Sequence, residues 1–253
     1  MLKRELKQRL VSIFKQFPAL AILGPRQSGK TTIAKEAFPH LKYINLEDLS
    51  IRQYAKDDPK GFLEANPEGL ILDEIQNVPE LLSYLQVYID KKDKPGLYVI
   101  TGSHQVLLNE KIPQSLAGRI AINNLLPLSY QELKQQHQYS DVNELIFKGS
   151  YPRLFRYNID PKDFYPSYIQ TYIEKDIRQL INITDIVLFQ KFLKLCAGRV
   201  GQLLNLSSLA NDCGISHVTA KKWLSLLEMS FIVYQLKPHH NNFNKRLVKS
   251  PKL

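Results

Sequence analysis

The stretch that decides the fold is Gly24-Pro-Arg-Gln-Ser-Gly-Lys-Thr31, which follows the short apolar run Ala19 to Leu23. It fits the pattern G-x-x-x-x-G-K-[ST] of the P-loop, also called Walker A. Glycines let the backbone curl so that several N–H groups point at one anion, and the following helix adds its positive dipole end. The stretch therefore predicts a phosphate-binding loop between a strand and a helix. The competing interpretation is a glycine turn beside an exposed lysine.

The side chains of this loop suit a nucleoside triphosphate with magnesium. Lys30 is long enough to reach the β and γ phosphates, and the Thr31 hydroxyl can bind Mg²⁺. We therefore expect ATP and Mg²⁺ as cofactors. Arg26 faces phosphate on one interpretation and solvent on the other. The expected nucleotide-binding residues are Gly24, Pro25, Arg26, Gln27, Ser28, Gly29, Lys30, Thr31 and Thr32.

Two acids follow a second apolar run, in Leu70-Ile-Leu-Asp73-Glu74. Ligands sit at the carboxyl ends of strands in open parallel sheets, so this pair is expected beside the loop. Asp73 is assigned to the metal together with Thr31, and Glu74 to the catalytic task of orienting a water. The alternative is a pair of acids that only caps a helix.

Two further residues are candidates for catalysis, in addition to Lys30 and Glu74. Ser103 ends the apolar run Leu97 to Thr101 and is expected to sense the γ-phosphate, unless it only starts a turn. Arg119 is expected to stabilise charge on the departing phosphoryl group, in its own chain or in a neighbouring subunit. An ordinary salt bridge is the alternative for Arg119. His104, after Ser103, is a weaker candidate for a nucleotide sensor.

Apolar runs alternate with helical patterns as far as Pro127, which predicts an α/β fold with a parallel sheet. Later residues have helical patterns, and 203–236 reads as a helical unit ending in a strand, Phe231 to Gln235. The expected domains are a core at 1–127, a helical region at 128–190 and a region at 191–253 that includes this helical unit; the family resemblance given next implies that the second is an all-helical lid and the third a winged-helix-like module. The expected strands are Ala19–Leu23, Lys42–Leu46, Gly69–Leu72, Leu97–Thr101 and Arg119–Leu125.

Several motifs together resemble a family, the predicted AAA+-superfamily ATPases of bacteria and archaea. The resemblance implies ATP binding by an AAA-type core, a helical lid and a winged-helix-like module. It also implies a further C-terminal domain with a nuclease-like core, of which this chain would hold only the start. Arg178 is either a second sensor or the partner of Glu174 in a surface ion pair. The motifs are Gly-Pro-Arg-Gln-Ser-Gly-Lys-Thr31, Leu-Asp-Glu-Ile-Gln76, Ile-Thr-Gly-Ser103, Ser-Leu-Ala-Gly-Arg119, Gly149-Ser-Tyr-Pro-Arg153, Thr171-Tyr-Ile-Glu-Lys-Asp176 and Leu247-Val-Lys-Ser-Pro-Lys252.

The end of the chain is basic. Residues 191–253 carry ten Lys and Arg against two acids, so they account for +8 of the net charge of +10. Within them, residues 206–224 resemble a helix-turn-helix, with Gly214 in the turn and Ser216 as the cap of the second helix. DNA contact through 206–224 and a purely structural role are both open.

The composition excludes some classes of protein. The apolar runs are too short to span a membrane, and the N-terminus lacks the apolar core of a signal peptide. The two cysteines match no disulfide or metal spacing, which fits a cytoplasmic location. We therefore predict an ATPase that couples hydrolysis to a conformational change, with a homo-oligomer as an option. The alternatives are an ATP-switched DNA-binding regulator with little turnover and a small-molecule kinase, although Glu74 argues against a kinase.

Overall fold

The computed structural model describes residues 2–103, 112, 114–136, 141–171, 185–239 and 249–253. The chain divides into two compact units, Met1–Phe164 and Tyr165–Leu253. Residues 128–164, which the sequence analysis assigns to a lid, cluster with the first unit. No helix in the described ranges combines the length and apolar content that a bilayer-spanning segment needs.

The first unit is built on a five-stranded parallel sheet, which confirms the predicted α/β class. The strand order is β2-β3-β4-β1-β5, and every strand begins and ends within one residue of its predicted bounds. All residues of β1, β3 and β4 are buried, as expected for strands covered on both faces. The strands are β1 Ala19–Leu23, β2 Lys42–Asn45, β3 Leu70–Asp73, β4 Tyr98–Gly102 and β5 Ile120–Asn124.

One face of this sheet is covered by the first two helices. Leu10 and Phe14 of α1 and Ile33 of α2 join Leu20 and Val99 of the sheet in one buried cluster. This packing fixes the start of α2, and with it the phosphate loop, against the end of β1. The helices as far as residue 168 are α1 Leu6–Phe14, α2 Lys30–Ala37, α3 Leu49–Asp57, α4 Pro59–Glu64, α5 Leu81–Lys92, α6 Tyr130–Gln136, α7 Val142–Lys148, α8 Pro152–Tyr157 and α9 Pro161–Tyr168.

The helical segment around Pro59 is divided into two helices, α3 and α4. Asp58 ends α3 and caps α4, because its side chain accepts a hydrogen bond from the Gly61 N–H at 2.8 Å. Pro59 is then the first residue of α4, where its fixed φ suits a helix and its missing N–H costs nothing.

The second unit contains α10 Ile186–Ala197, α11 Leu206–Cys213 and α12 His217–Met229. Trp223 of α12 packs edge-on against Phe189 and Phe192 of α10, with ring centroids 5.2 and 5.5 Å apart. Gly214 takes the left-handed conformation (φ 82°) between α11 and α12, and Ser216 caps α12 by accepting from the Thr219 N–H at 3.1 Å. Both features of the predicted helix-turn-helix are confirmed.

The predicted strand from Phe231 to Gln235 is wrong. Phe231 has a left-handed backbone (φ 60°), which breaks the extended chain directly after α12. The extended pairing of this unit is made instead by Lys252, which forms antiparallel bridges with both Leu203 and Leu236.

Candidate functional site

The predicted phosphate loop leaves the carboxyl end of β1 and runs into α2. A Cβ atom at position 24 would lie 2.1 Å from the carbonyl oxygen of Leu125, so only glycine lets the two backbones approach this closely. Gly29 has a left-handed backbone (φ 94°) just before α2, and Gln27 shares that conformation (φ 63°). The two glycines of the motif are thus required for different reasons, space at 24 and backbone conformation at 29.

Lys30 lies inside the loop. Its side chain is buried, and Nζ donates hydrogen bonds to the carbonyl oxygens of Gly24 at 3.0 Å and Pro25 at 2.9 Å. Burial lowers the pKa of Lys30, and the positive charge of Arg26 adds to this, while the carboxylates of Glu74 and Asp73 work in the opposite direction.

Ser28, in the same loop, is fully buried, and its Oγ has no hydrogen-bond partner among the described residues. A buried cation next to an unsatisfied buried hydroxyl provides donors for an anion. This donor set, which the curled backbone surrounds, fits the phosphates of a nucleotide.

Asp73, the last residue of β3, accepts hydrogen bonds from several hydroxyl groups. Thr31 Oγ1 donates to its two carboxylate oxygens at 3.0 and 2.9 Å, and Tyr43 OH donates to Oδ2 at 2.8 Å. Thr101 Oγ1 also donates to Asp73 Oδ1. The two residues predicted to hold magnesium, Thr31 and Asp73, are therefore side by side, although they are 42 positions apart in the sequence.

Glu74 turns away from Asp73 because its backbone is left-handed (φ 56°). Its Oε2 accepts hydrogen bonds from Ser103 Oγ at 3.1 Å, from the Ser103 N–H at 3.3 Å and from Gln76 Nε2. Burial alone would raise the pKa of the Glu74 carboxyl, but the charge of Lys30 and the hydrogen bonds from Gln76 and Ser103 outweigh it and hold the pKa below its usual value. Glu74 is thus an ionised carboxylate at neutral pH.

A cavity of about 730 Å³ opens in front of these residues. Loop and helix residues line one side of it, and α8 lines another. The cavity is large enough for a nucleotide-sized ligand. Its lining includes Gln27, Gly29, Lys30, Thr31, Thr32 and Glu74, together with Leu2, Arg4, Ile33, Glu36, Pro152, Arg153, Phe155, Arg156 and Tyr157.

The structure does not bring Arg119 to this site. Arg119 precedes β5, so it lies at the amino edge of the parallel sheet, whereas the loop lies at the carboxyl edge. Its guanidinium forms a bidentate pair with Asp90, with Nε and Nη2 at 2.5 and 2.9 Å from the two carboxylate oxygens. The salt bridge that was weighed as the alternative is present, and Arg119 lies at the opposite edge of the sheet from the loop of its own chain.

Other candidates do not line the cavity or lie outside the described residues. Gly24, Pro25 and Ser28 are buried within the loop and Arg26 is half-buried, and none of the four lines the cavity. His104, Glu174 and Arg178 lie outside the described residues.

The sequence analysis missed several residues that the structure places at the site. Tyr43 and Thr101 donate to Asp73, Gln76 donates to Glu74, and Arg4 contacts the loop backbone. Gln76 could have been found, since it follows the two acids within the same motif. Tyr43 and Arg4 carry no such signal, because each belongs to a segment with no motif.

Comparisons with known proteins agree with this geometry. Residues 16–134 match the family model described as "AAA domain", and residues 139–253 match one described as "Domain of unknown function (DUF8612)". Uncharacterized protein Rv2008c of Mycobacterium tuberculosis and Uncharacterized protein Mb2031c of Mycobacterium bovis are each 28% identical over 256 residues. That stretch covers 99% of this chain and 57% of each relative, so the chain spans little more than half of their length.

One solved structure, the Walker-type ATPase PABY2304 of Pyrococcus abyssi, is similar with a TM-score of 0.62. The similarity covers 100% of this chain and 93% of that one at 15% identity, so it concerns the fold alone. Fold and loop together define a P-loop nucleotide-binding core. Residues 16–134 are therefore similar to the AAA domain family, and the fold of the chain is similar to that of a Walker-type ATPase.

Proposed function

We propose that this chain is a magnesium-dependent ATPase that couples hydrolysis to a conformational change. The observation that carries the proposal is the arrangement of the two adjacent acids. Asp73 lies against the hydroxyl of Thr31, while Glu74 lines the same cavity as Lys30. One acid is thus available for a metal and the other for a water.

Each of these residues has a separate task in the proposed reaction. Lys30 and the loop N–H groups hold the phosphates, and Thr31 and Asp73 would hold the magnesium. Bound there, magnesium would neutralise charge on the phosphate oxygens. Glu74, kept ionised and fixed by Ser103 and Gln76, orients and polarises the attacking water. Thr31 and Asp73 would supply two ligands, and phosphate and water would fill the other positions around the magnesium.

Phosphate release by the full chain tests this proposal. We expect Glu74→Gln to lower kcat by about 100-fold or more while ATP still binds, because the variant keeps its shape and loses its base. Lys30→Ala should weaken ATP binding itself. Glu68→Gln and Lys56→Ala, two exposed positions of the same unit, are the matched controls. A wild-type protein that binds ATP and releases no phosphate would rule out the ATPase.

A second candidate function, an ATP-switched DNA-binding regulator, is supported by the second unit. Its described helices α10, α11 and α12, with the bridge residue Leu203 between α10 and α11 and the bridge residues Leu236 and Lys252 after α12, have the element order of a winged helix. Lys221 and Lys222 are exposed on α12. This is the second helix of the helix-turn-helix at residues 206–224, and it is the helix that would enter a groove of DNA.

Two finer points belong to the same proposal. The Arg119 side chain is 34% exposed, so it remains available to a second copy of the chain in a homo-oligomer. A cytoplasmic location fits Cys196 and Cys213, which are buried free thiols.

A further inference from the structure

Arg4 lies before α1, where no motif marks it, and yet its guanidinium contacts the phosphate loop. Its Nη1 donates to the carbonyl oxygen of Ser28 at 2.7 Å, and its Nη2 donates to the carbonyl oxygen of Leu126 at 2.6 Å. Its Nε donates to Glu132 Oε1 at 3.1 Å. The three bonds join the N-terminal segment, the loop and the segment that follows β5.

Glu132 holds this arginine from α6. The two side chains are 10% and 5% exposed, so the ion pair is largely shielded from water. Glu132 Oε1 also accepts from the Glu5 N–H at 2.8 Å, and Oε2 accepts from the Ser129 N–H at 2.9 Å. A buried carboxylate with this many donors has a fixed orientation, and it fixes Arg4 in turn.

The bond to Ser28 controls the direction of a loop N–H group. A peptide unit is planar and trans, so its C=O and its N–H point in opposite directions. Because Arg4 holds the Ser28 oxygen on one side, the N–H of Gly29 in the same peptide unit points to the other side. Gln27 and Gly29, on either side of Ser28, both have left-handed backbones (φ 63° and 94°), so this peptide depends on its surroundings for its orientation.

We propose that Arg4 is a positioning residue that orients the Ser28–Gly29 peptide for phosphate binding, and that Glu132 holds Arg4 in place. The inference rests on the proposed function, because it concerns ATP binding at this loop. Without Arg4 the peptide is free to flip, which would turn a carbonyl oxygen toward the phosphates in place of an N–H donor.

The test uses the full chain, with the Kd for ATP from calorimetry and KM and kcat from phosphate release. We expect Arg4→Lys and Arg4→Ala to raise KM and Kd about ten-fold or more, as for the loss of a charge-assisted hydrogen bond. The value of kcat should change by less than about three-fold, because the N–H contacts phosphate in ground state and transition state alike. Arg9→Ala, an exposed arginine on α1, should leave all three constants unchanged.

A double variant separates positioning from simple stabilisation. Arg4→Glu with Glu132→Arg restores an ion pair between the two positions, but a glutamate cannot donate to the Ser28 oxygen. We expect it to recover thermal stability relative to Arg4→Glu alone and not to recover KM. Recovery of KM as well would overturn the inference.

If the other variants do not fold, Arg4→Lys still tests the positioning role, because a lysine keeps the charge beside Glu132 and loses the forked geometry of the guanidinium. A folded Arg4→Lys protein with unchanged KM and Kd refutes the positioning role alone. A wild-type protein that does not bind ATP refutes the proposed function, and the inference falls with it.

Discussion

At the scale of single residues, the two neighbouring acids Asp73 and Glu74 have different surroundings and different hydrogen-bond partners. Asp73 is buried and receives hydroxyl hydrogen bonds from Thr31, Tyr43 and Thr101. Burial and the bond to Asp73 raise the pKa of Tyr43, so this phenol remains a donor. The left-handed backbone of Glu74 directs its side chain elsewhere, at a cost of roughly 1–3 kcal/mol that such residues typically carry at functional sites.

Gln76→Ala tests how Glu74 is kept ionised. Loss of the amide donor should raise the pKa of Glu74. Because activity requires the ionised carboxylate and is lost as the pH falls through this pKa, the acid limb of the kcat profile should move to higher pH. The plateau at alkaline pH should change little, and Gln53→Ala, an exposed glutamine on α3, should leave the profile unchanged. An acid limb that stays in place would show that Gln76 does not influence Glu74.

At this scale, the residues that carry the chemistry could be predicted from the sequence, whereas the partners that orient them could not. Lys30, Thr31, Asp73 and Glu74 could be assigned because the chemistry of phosphate binding requires these residue types at the ends of predicted strands. The partners that orient them could not, since Tyr43 meets Asp73 across 30 positions and Arg4 meets Glu132 across 128. Such contacts exist only after the chain has folded, and polar residues of these types are common elsewhere on the surface.

At the scale of elements, β1, β3 and β4 were predictable because apolar runs with no polar interruption indicate strands buried on both faces. The same rule failed for Phe231 to Gln235, which is also largely apolar. An apolar run indicates that a segment is buried, but it does not determine the backbone conformation. Phe231 has a φ of 60°, which is not that of a strand. The pairing in the second unit is made by isolated bridges at Lys252, which no apolar pattern marks in the sequence.

Gly24→Ala tests the contact between the ends of β1 and β5. The new methyl group would lie 2.1 Å from the Leu125 carbonyl oxygen, so one backbone must shift. We expect the free energy of unfolding to fall by about 2–3 kcal/mol, in line with overpacking, together with a loss of ATP affinity. Chemical denaturation measures the first effect and calorimetry the second.

Gly198→Ala is the matched control, because its nearest neighbours would lie 3.7 Å from the new methyl group and its φ of −70° suits any residue. Equal effects of the two substitutions would mean that the close approach at Gly24 is unimportant.

At the scale of the whole molecule, charge is distributed unevenly. Residues 191–253 carry +8 of the net +10, and they make up most of the second unit. A concentration of positive charge on one unit favours an anionic partner. In the first unit, by contrast, the buried charged residues Lys30 and Asp73 lie at the candidate site.

The double charge reversal Lys221→Glu/Lys222→Glu tests the DNA-binding alternative. If these side chains contact phosphates, duplex binding should weaken by about ten-fold or more at low salt, and the slope of log K against log salt should decrease by about 2. Fluorescence anisotropy with a labelled duplex measures both. Lys91→Glu/Lys92→Glu, an exposed pair on α5, is the control for net charge. Equal binding by the wild type and the first variant would exclude DNA contact through residues 206–224.

The bridges of Lys252 also set an order of events during protein synthesis. The five-stranded sheet has all its strands once Asn124 has left the ribosome, and the ion pair of Arg4 needs only eight residues more, up to Glu132. Leu203 and Leu236 each pair with Lys252, so neither bridge can form until Lys252 has been translated. The first unit can therefore fold before Lys252 has been translated, whereas the bridges of the second unit can form only after that point.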